Sequence, residues 1–167
     1  MNDTETTHAF AAIKPMQFVI SHATGDGDFK AGFRPNSLYR DLGVEDATNG
    51  MVLAHVVRAA RSFPAEGVGG PHRHFVQFQF CYVTKGWQTM RFAGQEGIIT
   101  AREGTAWIQP PGIVHEVLGF SDDREILEII LPAKYDTVEA NYGEDPSGTV
   151  QMDGTSAGHN KTTTVAR

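Results

Sequence analysis

The stretch Gly70-Pro71-His72-Arg73-His74-Phe75-Val76-Gln77-Phe78-Gln79 sets two histidines at i and i+2 directly ahead of an apolar run. On a strand, side chains at i and i+2 leave the same face, so both imidazoles point to one side of a sheet. Two imidazoles on one face can hold one metal ion, and a third, His115, follows the turn Pro110-Pro111-Gly112. The pattern implies a site before it implies a substrate.

Outward from these histidines the chain reads as strands separated by turns. Gln77 to Thr84 (QFQFCYVT) is aromatic and alternating and is bounded by Lys85-Gly86, and Trp87 to Phe92 reads as its antiparallel partner. Ile98 to Ala101, Thr105 to Gln109, Val114 to Phe120 and Glu125 to Leu131 follow, divided by Arg102-Glu103-Gly104, the Pro-Pro-Gly turn and Ser121-Asp122-Asp123. Upstream, Met51 to Ala59 (MVLAHVVRA) reads as a buried strand carrying His55, and Pro64 to Gly70 as a Gly-rich loop. Short strands at regular spacing predict an all-β sandwich or barrel. Phe78, Phe80, Tyr82 and Trp87 are expected to pack in its core or between its sheets.

Residues 51–135 are expected to form the barrel. Residues 1–50 read as an N-terminal arm with short edge strands: one near Met16 to Ile20, and a helical turn or edge strand within Ser37 to Asp46. Residues 136–167 read as a C-terminal extension, expected to be flexible because almost nothing from Glu144 onward can be buried.

A chain of 167 residues suits one domain with its own core. Lys and Arg number 14 against 20 Asp and Glu, a formal charge of -6 with no basic cluster, so nucleic acid and anionic membrane are not expected partners. Cys81 is the only cysteine, which excludes an internal disulfide, a CxxC pair and a cysteine zinc knuckle. Met1 to Phe10 carries Asp3 and Glu5 and has neither the basic start nor the apolar segment of a signal peptide. No stretch approaches a membrane span. A soluble, cytoplasmic protein is the expectation.

Two spaced motifs resemble those of the cupin superfamily. The second runs Gly104, five residues, Pro110, one residue, Gly112, two residues, His115, with Gly119 where an asparagine is usual. The first runs His72-x-His74, four residues, Gln79, six residues, Gly86; its leading glycine is displaced from position 66, which is Glu66, to Gly67, and its usual glutamate is Gln79. The stretches YRDLGVEDATNG, FVQFQFCYVTKGW and QPPGIVHEVLGFSDD also look like a group of small bacterial cupins. The resemblance implies a double-stranded β-helix, or jelly-roll, barrel with a metal ion inside. His72, His74 and His115 would be ligands, and Gln79 stands where a fourth normally comes. It also implies a homodimer, since many cupins share edge strands between two copies.

Imidazole suits Fe, Zn, Ni and Mn alike, so the residues do not choose the one divalent metal ion. An amide at position 79 neutralises none of its charge, which favours Lewis acidity and anionic substrates. Gln79 cannot act as a general base. Glu116 and Tyr82 have the wrong strand parity, His55 is open as a base, a fifth ligand or a buried residue, and a metal-bound hydroxide or the substrate itself is an alternative base. Cys81 reads as an inert buried thiol, Arg73 as facing out, and Arg91 as a solvated strand residue or a carboxylate anchor. His8, His22 and His159 sit in polar segments with no expected role. The expected function is a metal-dependent enzyme of the dioxygenase type, acting on a small enolisable or carboxylated organic molecule. The alternatives are a non-redox isomerase, cyclase or lyase, and a non-catalytic small-molecule-binding protein.

Overall fold

The computed structural model describes residues 14–60 and 69–143, together with the backbone of Thr163–Thr164. In chain order the elements are β1 (Lys30–Ala31), β2 (Ser37–Asp41), α1 (Val44–Ala47), β3 (Leu53–Ala59), β4 (His72–His74), β5 (Phe78–Lys85), β6 (Trp87–Phe92), β7 (Ile99–Arg102), β8 (Ala106–Ile108), β9 (His115–Phe120), β10 (Glu125–Leu131), β11 (Asp136–Glu139) and β12 (Thr163–Thr164). A 3-10 turn over Asp26–Asp28 precedes β1. One sheet has the order β1-β2-β3-β10-β5-β8 and the other β12-β11-β4-β9-β6-β7. The two face each other as a jelly roll, the all-β barrel that the strand spacing predicts.

Strand parity decides what faces inward. On β5, Gln79, Cys81 and Val83 are buried, while Phe78 and Tyr82 are each 38 % exposed. The expectation that Phe78, Phe80, Tyr82 and Trp87 form the core is therefore corrected. Phe78, Phe80 and Tyr82 share the opposite face of the pleat, and Trp87 is only half-buried. The interior is closed by Val83, Ile126, Ala101 and Cys81, packed with Met90 and Phe92, and by Leu53, Val76, Ile130 and Ala133. Ile126 and Ile130 are almost wholly buried, and each contributes about 1.5–3 kcal/mol of apolar transfer free energy.

The turn glycines are required by geometry. Gly86 links β5 to β6 at φ 70, and a Cβ there would collide with Ser121 Oγ and lie 2.7 Å from Asp123 Oδ1. Gly112 has φ 70 after the two prolines, a left-handed conformation that glycine adopts without strain.

Three boundary expectations change. Met16 to Ile20 is not a strand, although Gln17 N–H donates to Ala47 O at 2.8 Å. Ser37 to Asp46 holds both alternatives in succession, β2 and then the start of α1, because Gly43 at φ 73 turns the chain between them. Sheet pairing does not stop at residue 135: β11 pairs with β4, Thr137 opposite His74 and Glu139 opposite His72, with Thr137 and Val138 buried. Residues 64–68 of the expected Gly-rich loop, with the displaced motif glycine at Gly67, and the polar tail from Glu144, β12 aside, lie outside the described residues.

Candidate metal centre

β4 and β9 meet at one register point, His72 opposite His115, and His74 follows on the same face of β4. Ring centroids are 4.2 Å apart for His72 and His115 and 5.0 Å apart for His72 and His74 and for His74 and His115. One nitrogen from each of the three lies within 4.8 Å of the others. The sequence-predicted histidines are thus brought together by the pairing of two short strands, each fixed by a neighbouring turn.

Each ring is oriented through its Nδ1. His72 Nδ1 donates to Gly70 O at 2.9 Å and His115 Nδ1 to Ile113 O at 3.0 Å. A carbonyl only accepts, so both rings carry their proton on Nδ1 and keep the Nε2 lone pair for a ligand. His74 Nδ1 stands 2.7 Å from Thr137 Oγ1, which can accept its proton in the same way. Burial pushes the His72 imidazolium down to about 2, with the charges of His115 and Arg34 acting in the same direction. Burial takes His115 down to about 4 and His74 well below the usual histidine range. Three neutral imidazoles at ordinary pH form a donor set that fits one divalent ion, because a metal binds the deprotonated ring.

Gln79 lies beside this cluster. Its Oε1 accepts from Gln109 Nε2 at 2.9 Å, and the same Gln109 nitrogen is 3.1 Å from His115 Nε2. Gln79 is therefore tied sideways to the third histidine through Gln109. Cys81 is buried two residues on, its sulfur 4.0 Å from Gln79 Nε2, and burial pushes its thiol up.

His55 is not part of the cluster. From β3 its Nε2 lies 3.0 Å from Glu128 Oε2 on β10, with Tyr39 edge-on to its ring at 5.3 Å. Glu128 is opposite both His55 and Cys81 in register, so the pair sits on the inner face of the other sheet. Deep placement pushes the Glu128 carboxyl up, but the hydrogen bond and charge of His55, with Arg124 and Arg34, outweigh this and lower it overall. Its side chain keeps 24 % exposure, since the cavity it lines admits water.

That cavity is about 1310 Å³ and takes in the three histidines, the His55–Glu128 pair, Gln79 and Arg34. Trp107 also lines it, and its buried indole N–H has no partner among the described residues. Arg124, 3 % exposed, donates to Gln88 Oε1 at 2.7 Å and Ser37 Oγ at 2.9 Å. Glu116 pairs with Arg91 at 3.1 Å on the outer side, which leaves neither for the cavity. Tyr82 and Arg73 are likewise outside its lining, whereas His22, expected to have no role, stands at it. His8 and His159 lie outside the described residues.

Four residues of the site escaped sequence reasoning: Arg34, Gln109, Glu128 and Thr137. Glu128 had a signal, since in Glu-Ile-Leu-Glu-Ile-Ile-Leu it shares parity with the inward Ile126 and Ile130. Arg34 had none, being one cation in a Gly-rich arm.

An AraC-like ligand binding domain model matches residues 53–118 of the chain. In three dimensions the chain is similar to KdgF from Halomonas sp., at 21% identity over 70% of this chain and 93% of that one, with a TM-score of 0.51. It is also similar to the polyketide cyclase RemF from Streptomyces resistomycificus, at 17% identity over 76% of this chain and 90% of that one, with a TM-score of 0.52. No curated protein sequence matches this one. No helix among the described residues is long and apolar enough to cross a membrane.

Proposed function

Starting from a chain with the cupin fold and three histidines positioned to hold a metal ion, we propose that it is a metal-dependent enzyme acting on a small enolisable or carboxylated organic molecule. Dioxygenase chemistry is the first reading, with Gln79 a fourth ligand or a hydrogen-bonding neighbour of the ion. The observation that carries the metal reading is the convergence of three neutral imidazoles, two buried and His74 half-buried, oriented through Nδ1, on one wall of a large cavity. A divalent ion held there supplies Lewis acidity and, for iron, the capacity to react with dioxygen. The chain supplies the rest. The histidines would hold the ion, the barrel limits the access of bulk water, and Glu128 with His55 can take up or return a proton at the carboxylate or Nε2.

A second reading, non-redox isomerase, cyclase or lyase chemistry, is favoured by Gln79, whose neutral amide neutralises none of the ion's charge. A third, ligand binding without turnover, draws on the match to a ligand binding domain. A cytoplasmic homodimer completes the proposal.

The test is elemental analysis of protein purified without chelator or metal-affinity resin, beside His115→Ala. Iron or manganese near one per chain, lost in the variant, together with oxygen uptake on enolisable acids or diketones, supports the dioxygenase. Zinc or nickel with turnover that needs no oxygen supports the second reading. Ligand-induced stabilisation with no turnover supports the third. Failure of both proteins to take up metal, even after reconstitution, overturns the enzyme readings.

A further inference from the structure

Arg34 leaves the arm just ahead of β2 and its guanidinium reaches the histidine cluster, with Nη2 2.6 Å from His72 Nε2. Its other amino group lies over Gly69, where a Cβ would come within 2.6 Å of Nη1. Gly69, at φ 109, carries the chain past the guanidinium with no side chain in the way. Among the described residues no carboxylate lies within ion-pair distance of Arg34. The hydrogen-bond acceptor it has is therefore the lone pair that a metal ion would take, since His72 Nδ1 is committed to Gly70 O.

We propose that Arg34 is the anchor for a carboxylate-bearing ligand, which replaces His72 as the acceptor of its guanidinium once a metal ion holds the three histidines. The inference rests on the metal reading above and names the charged group of the substrate. Three neutral imidazoles and a neutral Gln79 leave a divalent ion with its full charge, Arg34 adds another, and the carboxylate of Glu128 is engaged by His55. Two cations that compete for one lone pair repel strongly in a partly enclosed site. A carboxylate beside both relieves that repulsion and gives the planar fork of the guanidinium its matching acceptor. Small 2-oxo acids meet this requirement, since they carry a second oxygen next to the carboxylate.

The experiment measures the dissociation constant for Zn(II) by competition with a chromophoric chelator. The proteins are the unmodified chain, Arg34→Gln and Arg34→Lys, each with and without pyruvate and corrected for the zinc that pyruvate itself binds. Pyruvate should tighten zinc binding to the unmodified protein about tenfold, and by linkage zinc should tighten pyruvate by the same factor. The neutral analogue hydroxyacetone should have little effect. Arg34→Gln should bind zinc at least as tightly without pyruvate and show no response to it, and Arg34→Lys should keep only part of the response. Arg34 is half-buried on the arm, and Arg34→Lys keeps the charge if Arg34→Gln proves unstable. A zinc affinity indifferent to pyruvate in a protein that binds zinc, or a full response in Arg34→Gln, overturns the anchor and leaves the metal site standing. Absence of zinc binding from the unmodified protein overturns both.

Discussion

Thr137 Oγ1 stands 2.7 Å from His74 Nδ1 across the β4–β11 pair, so a strand beyond the last long strand of the barrel orients one of the three clustered histidines. Thr137→Val keeps the shape and removes the acceptor. The buried Nδ1–H then has no partner, which costs about 1–3 kcal/mol, and the ring loses its fixed orientation. Metal affinity should fall by about 10–100-fold, with the fold retained by circular dichroism. An unchanged affinity would show that β11 has no part in orienting the ligand.

His74→Ala and His115→Ala each remove one donor of three. Both should purify with metal content near zero, while their unfolding remains cooperative. Inductively coupled plasma analysis beside the unmodified chain checks this, and full retention of metal in either variant removes that histidine from the ligand set.

Gln79→Glu places a carboxylate where Gln109 can still donate to it. The added charge should tighten a divalent ion on the order of tenfold, equivalent to about 1.4 kcal/mol. Competition titration against a chelator reads the change. Weaker binding would mean that position 79 faces away from the ion.

The metal-free protein should be acid-sensitive in a defined window. Burial lowers the folded-state values of His115 and His72 to about 4 and about 2 from 6.5, so below pH 6.5 the unfolded chain binds more protons than the folded one. The stability tied to these groups is complete above 6.5 and is lost as pH falls toward the folded values, at most about 1.4 kcal/mol per pH unit for each histidine. Glu128, also lowered, adds to the loss at the acid end. Denaturant titrations above and within the window measure the slope, and a flat profile contradicts burial of the cluster. Bound metal, which competes with protons for the same nitrogens, should hold stability up until it dissociates.

Much of the fold was legible because it depends on local signals. Turn residues such as Gly86 and Pro110-Pro111-Gly112 punctuate strands of alternating composition, and β6 and β10 fall where the pattern sets them. The histidines were legible because spacing of two on a strand implies one face. What escaped depends on which face is inside and on contacts between distant segments. On β5 the reading of Phe78, Phe80 and Tyr82 as core or inter-sheet packing ran against the parity that set Gln79 and Cys81 inward, and a barrel built around a polar cavity keeps the parity. Thr137 and Arg34 lie 63 and 38 residues from the histidines they touch, and no local pattern encodes such a pairing. Residues 16–20 are apolar enough for a strand, but the backbone bond from Gln17 N–H runs to Ala47 O on α1 rather than to a strand.

The three histidines stand on one sheet and the His55–Glu128 pair on the other, so the span between the histidine cluster and the His55–Glu128 pair is a spacing between layers. That spacing is set by small and medium side chains wedged between the sheets, Ala101, Val83 and Ile126 among them. Such a molecule behaves like a caliper whose jaws are adjusted from behind. Ala101→Val would spread the layers without touching any polar group of the site, and overpacking of this kind typically costs 1–3 kcal/mol. Selection on the packing layer can thus retune reactivity while every chemical group stays in place, a route to altered specificity invisible to a comparison of site residues alone.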